Sequence, residues 1–192
     1  ARLRSIAAGH VADVALAAAL ADLTQPHSTK KKKKQQRKAV FELDRLRWRA
    51  LGCVQQILEH FGEGLDADRF AACHPVLVDL VLLVTPQTPP AFVDALLAPC
   101  VAALGARCNS DEAMHRAVNH RLMLHARDAP LPARRAALLC TTALLAAVGS
   151  DVANFANQMV QAIAECLEDP DTAVLARDIV LQVDHLAGIR IV

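Results

Sequence analysis

Lysine, histidine and cysteine are the side chains here whose types and spacing could carry chemistry. Lys30, Lys31, Lys32, Lys33 and Lys34, with Arg37 and Lys38 close behind, make a cationic run dense enough to meet phosphates. No aromatic residue is interleaved, so stacking on bases is not indicated. The run reads as a nuclear or nucleolar address, as a phosphate-contacting arm, or as a solvated low-complexity linker, because like charges this dense repel and cannot enter a core.

The other reactive types do not converge. His115, His120 and His125 recur every five residues, a step that rotates about 140° around a helix, so they cannot share one metal. His74 beside Cys73 reads as a helix-end residue. Cys53, Cys73, Cys100, Cys108, Cys140 and Cys166 lie on apolar helical positions with no C-x-x-C spacing, the pattern of reduced, buried, intracellular thiols. No phosphate-cradling glycine motif, no G-x-S-x-G and no H-E-x-x-H occurs, and seven glycines leave little material for such a loop. No nucleophile and base are singled out from six Cys and eight His. An enzyme, a cofactor, a metal and a small-molecule substrate are therefore not expected.

The elements that must position these residues are helical. Ala (37) and Leu (27) make up a third of the 192 residues and Tyr is absent, a composition of strong helix formers. Net charge is only +1, yet Lys30–Arg49 holds ten basic and two acidic residues while Asp151–Asp184 holds seven acidic residues and one Arg. A basic segment facing nucleic acid or an acidic partner is one reading of that split. The stretch Ile6–Leu23 is broken by His10, Asp13 and Asp22, and the apolar run Ala136–Val148 falls short of the ~20 residues a bilayer requires, so no membrane contact is expected. The chain opens on Ala1 inside an apparent helix, as a piece of a longer protein would.

Taken in order, a helix is expected over Arg2–Leu23, ended by Thr24-Gln-Pro26. A long helix from about Gln36 to Phe61 carries Val40, Leu43, Leu46, Leu51, Val54, Ile57 and Leu58, with Trp48 as a packing residue and Gly62-Glu-Gly64 as its stop. Asp66 or Asp68 caps a short helix through Ala72, and Pro75 starts another that ends at Thr85-Pro86. Pro89-Pro90 open the next, in which Pro99 should force a kink or a division. Ser110-Asp-Glu and Asp151 each cap a later helix, and Asp169-Pro170-Asp171 breaks the chain before the last one.

The corner before the alanine helix recurs. Shifting the sequence by about 40 residues lays Arg127-Asp128 on Glu168-Asp169 and Leu138 on Ile179, and a two-helix repeat of that period is the signature of HEAT or armadillo arrays. The expected fold is all-α, a HEAT-type α-solenoid of stacked antiparallel helix pairs. Its expected parts are a helix of a preceding repeat (1–23), a basic Lys-rich linker (24–38), HEAT-like repeats (39–109), and C-terminal HEAT repeats with a cap (110–192).

Residues 117–186 resemble the extreme C-terminal repeats of the U3 small nucleolar RNA-associated protein 10 / HEAT repeat-containing protein 1 family. The places that carry the likeness are Asn119, Leu122, Leu124, Arg127, Asp128, Arg134 or Arg135, Ala136, Ala137, Leu138, Leu167, Glu168 and Asp169. Arg69-Phe70 and His74-Pro75-Val76-Leu77-Val78-Asp79 fit the preceding part more loosely. His125-Ala126 departs from it, standing where the family tends to have lysine and threonine. The resemblance implies a nuclear, nucleolar scaffold of the small-subunit processome (U3 snoRNP) acting in pre-rRNA transcription and processing towards 18S rRNA. Its implied partners are other processome proteins, with pre-rRNA or U3 snoRNA reached through the basic segments. The alternative is a HEAT-repeat protein-binding module of another pathway, such as a transport receptor or regulatory scaffold. Arg116, Arg121, Arg127, Arg134 and Arg135 form a second cationic set, of which Arg134 and Arg135 could instead pair with acids on the next repeat.

Overall fold

The computed structural model describes residues 33–60 and 65–188, with side chains from residue 45 onward, and every regular element among them is helical. The helix expected at Arg2–Leu23, the turn after it, Lys30, Lys31, Lys32 and the stop at Gly62-Glu-Gly64 lie outside those residues. The chain divides into two units, Ala1–Gly62 and Glu63–Val192.

In the first unit, helix α1 (Lys33–His60) is already helical at Lys33, the first residue described, ahead of the start expected near Gln36, so Lys33, Lys34, Arg37 and Lys38 all stand on helical backbone. Leu51, Val54 and Leu58 are buried and share one face by their spacing of three and four. Leu46, expected on that stripe, is 55 % exposed.

The second unit holds six α-helices joined by short turns. Helix α2 (Ala67–Asp79) is capped by Asp66, whose side chain accepts from the Arg69 N–H at 2.8 Å. It runs straight through Pro75, where a division was expected. Phe70, Cys73, Leu77 and Val78 are all buried, and covering that face outweighs one missing backbone bond. A 3₁₀ turn, Leu80–Leu83, follows.

Helix α3 (Pro90–Ala106) starts on two prolines and contains a π-turn over Val93–Leu97, where the Ala98 N–H reaches back to the Val93 carbonyl. That wide turn absorbs Pro99, so the helix neither divides nor stops. Helix α4 (Glu112–Asp128) is capped by Asp111, which accepts from the Met114 N–H at 3.0 Å. Ser110 is not the cap: it and Asn109 adopt left-handed backbone, φ 61° and 48°.

Helix α5 (Leu131–Val148) follows Pro130 and runs into a 3₁₀ turn, Gly149–Asn154. Asp151 falls within that turn, and helix α6 (Ala156–Glu168) begins after Phe155 with no side-chain cap. Counting the turn, Leu131–Asn154 is long and apolar enough to cross a membrane by length and composition, against the shorter run read from the sequence, but half of that window is buried in protein. Helix α7 (Ala173–Ala187) closes on Gly188, whose φ of 63° suits a residue without a Cβ.

Helices α2 and α3, α4 and α5, and α6 and α7 pack within pairs. Across pairs, α2 touches α4 and α4 touches α6, while α3 touches α5 and α5 touches α7. The best-covered side chains, Leu138, Cys140, Leu144 and Leu145 of α5, lie where that helix meets its neighbours. Gly105 sets the approach of α3 to α5, since a Cβ there would come within 2.3 Å of Leu144 Cδ1.

Candidate interaction surface

Several polar side chains reach from one helix to another. Arg121 on α4 donates through Nε and Nη2 to Asp79 at the end of α2, at 2.6 and 2.5 Å. His125 Nε2 lies 2.7 Å from the same carboxylate, and because a carboxylate only accepts, Nε2 carries the proton. Burial raises the Asp79 pKa, but the hydrogen bonds and charges of Arg121 and His125 outweigh it and hold the carboxyl below its ordinary value. His74, one helical turn from Phe70 and stacked on its ring at 4.4 Å, is pulled down chiefly by burial.

The next junction repeats the pattern with other residues. Arg116 donates twice to the Asn154 carbonyl, at 2.9 and 3.1 Å, and also pairs with Glu112. Arg127 pairs with Asp128 at 3.0 Å and faces Glu165 on α6 at 3.6 Å. Arg134, at the start of α5, meets Asp169 in the corner after α6 at 2.5 Å. The Asp169 carboxyl is held low first by the Asp171 N–H and then by Arg134. Gln182 on α7 donates to the Thr142 carbonyl of α5 at 3.1 Å.

Four of the five arginines considered as a cationic set are thus committed to groups within the chain. Arg135 and Glu168 are exposed, with no partner among the described residues. Asn119 is wholly buried on α4 and neither of its amide atoms has a protein partner. One turn earlier His115 donates from Nε2 to the Gly105 carbonyl at 3.1 Å, which leaves its buried Nδ1 unpaired. His120 is exposed, so the three histidines of α4 face three different surroundings.

Among the described residues no group of three or more His, Cys, Asp or Glu is placed to hold a metal ion. Burial pushes the Cys73 thiol up to about 11 and Cys108 up to about 12, and it raises Cys140 and Cys166 as well. Thiols held protonated in this way make poor nucleophiles. Cys53 alone among the six is exposed.

The last pair carries an apolar groove that no motif announced. Met159 and Ile163 of α6 and Ile179 and Val183 of α7 form its floor, and Val160, 49 % exposed, and Leu167, 39 % exposed, form its rim around about 130 Å³. Helical spacing of 159, 163 and 167 is the available signal, and it does not tell a covered face from an open one. Compared with known proteins, the chain matches no family model, no curated protein and no solved structure.

Proposed function

We propose that residues 65–188 are a short run of HEAT-type helix pairs, a slice of an α-solenoid, in a non-enzymatic scaffold of the small-subunit processome. The observation that supports the scaffold reading is that several bonds between helices recur at separations near 40 residues. Arg116–Asn154, Ala126–Cys166, Thr142–Gln182, Asp79–Arg121 and Asp79–His125 are all 38 to 46 residues apart. A chain whose polar links return at about one repeat length is built of pairs that each touch mainly their neighbours. Such an array presents a long surface, as a binding protein needs.

The assignment to nucleolar ribosome assembly, with pre-rRNA transcription and 18S rRNA maturation as its task, is supported by the resemblance over residues 117–186 and by the lysine run. RNA contact falls to Lys30–Lys34, Arg37 and Lys38, because Arg116, Arg121, Arg127 and Arg134 are engaged inside the fold. The same engagement favours the second reading, a HEAT-repeat protein-binding module of another pathway.

The test is the salt dependence of binding to a structured pre-rRNA fragment, for this chain and for a variant with Lys30 to Lys34 changed to Ser. The processome reading expects a steep slope of log affinity against log salt that flattens in the variant, since fewer counterions are released. Depletion of the protein should also lower 18S rRNA relative to the large-subunit rRNA. Unchanged 18S rRNA together with no RNA binding would leave the protein-binding module.

A further inference from the structure

The groove of the last pair is open along two turns of α6, where Val160 and Leu167 stand seven residues apart on one face. At its Leu167 end the chain turns the corner into α7, and that corner is acidic. Asp169 is taken by Arg134 and Glu165 by Arg127, whereas Glu168 and Asp171 are exposed and have no charged partner among the described residues. An apolar trough with two unspent carboxylates at one end is asymmetric, and it favours one kind of occupant in one direction.

We infer that this groove docks an amphipathic helix of a protein partner, one whose apolar stripe fills the trough and whose Lys or Arg end meets Glu168 and Asp171. Side chains at i, i+4 and i+7 of such a helix cover Met159, Val160, Ile163 and Leu167 from outside, the usual geometry of a helix laid in a groove. The apolar contact supplies most of the affinity, and the corner charges set polarity and reject acidic helices. This rests on the stacked-pair reading and is independent of the processome assignment, because it needs no RNA.

The experiment is fluorescence anisotropy on the full chain with two labelled helical peptides of about 15 residues. Both carry the same leucine stripe; one ends in lysines and the other in glutamates. The basic-ended peptide should bind about ten-fold tighter, the worth of two exposed ion pairs gained and two repulsions avoided. Val160→Glu with Leu167→Glu should abolish binding of both peptides. These side chains are exposed, so the variant keeps its helical circular dichroism and its melting temperature, which is checked alongside. Glu168→Gln with Asp171→Asn should leave binding in place and erase the preference. Equal binding of the two peptides, or unchanged binding to the Val160/Leu167 variant, would overturn the proposal. So would a concentration-dependent dimer in sedimentation that the same variant dissolves, since a second copy would then fill the groove.

Discussion

Helix α5 is rich in Ala and Leu and α7 in Ala, Leu and Val, yet nine of the 18 residues of α5 are buried and only three of the 15 of α7. Composition does not separate them; neighbours do. Helix α5 has α3 on one flank, α7 on the other and α4 beneath it, whereas α7 meets α5 and α6 and leaves Val174 and Leu181 in solvent. In this all-helical unit an apolar side chain is core or surface according to which helices flank it, and a sequence stripe states only which side of the helix is apolar.

The largest expected effect tests the covered helix. Leu144→Ala in α5, a fully buried position, should lower unfolding stability by about 3 kcal/mol in urea denaturation. Gly105→Ala should itself destabilise through its clash with Leu144, and it should cost less in the Leu144→Ala background, where the obstructing Cδ1 is gone. Equal costs in both backgrounds would break the account of how α3 approaches α5.

An intermediate effect belongs to the polar link between α2 and α4. Asp79→Asn should cost about 1 kcal/mol at pH 7, a modest sum because the pair is part exposed. The folded carboxyl titrates below its ordinary value of 3.8, so its contribution is full above that pH and is lost as pH falls through the lowered folded value. The gap between the two proteins should therefore close in acid denaturation below pH 3.8. A gap that widened there would mean that the carboxyl is not the stabilising group.

The smallest effect tests the open helix. Leu181→Ala in α7 should change stability by less than about 0.5 kcal/mol, since the side chain is 61 % exposed. A loss comparable with that at Leu144 would show that something covers α7 in solution, and the contrast between the two helices would disappear.

Helix identity, the Asp169-Pro170-Asp171 break and the proline start of α3 were legible because each rests on local chemistry: propensity, capping and the missing proline N–H. The continuous helix through Pro75 was not legible, because the burial of Phe70 and Leu77 that offsets the lost bond is a tertiary fact. Asp151 illustrates the same limit in reverse, a good cap residue placed in a 3₁₀ turn. Of the repeat-corner residues, the sequence offset picked out Arg127, Asp128 and Asp169, and the resemblance Arg134; Arg134 and Asp169 do meet, and Arg127 and Asp128 pair as neighbours. Asn119 was marked and proves wholly buried, while Arg121 was named only as a free cation and His125 only as one of three histidines, and their link to Asp79 went unforeseen, although its separation is close to the same offset. The groove went unseen because nothing in the spacing of its residues tells a buried face from one awaiting a partner.

The short reach of the bonds between helices has a kinetic side. The links named above close loops of 46 residues or fewer, and none asks the chain to find a more distant segment. Loop-closure entropy is thus spent in small instalments, and a pair can add to its neighbour without waiting for the rest. On the array reading proposed above, folding of this unit starts at any junction and spreads in either direction, and loss of the outermost pair does not undo the ones behind it.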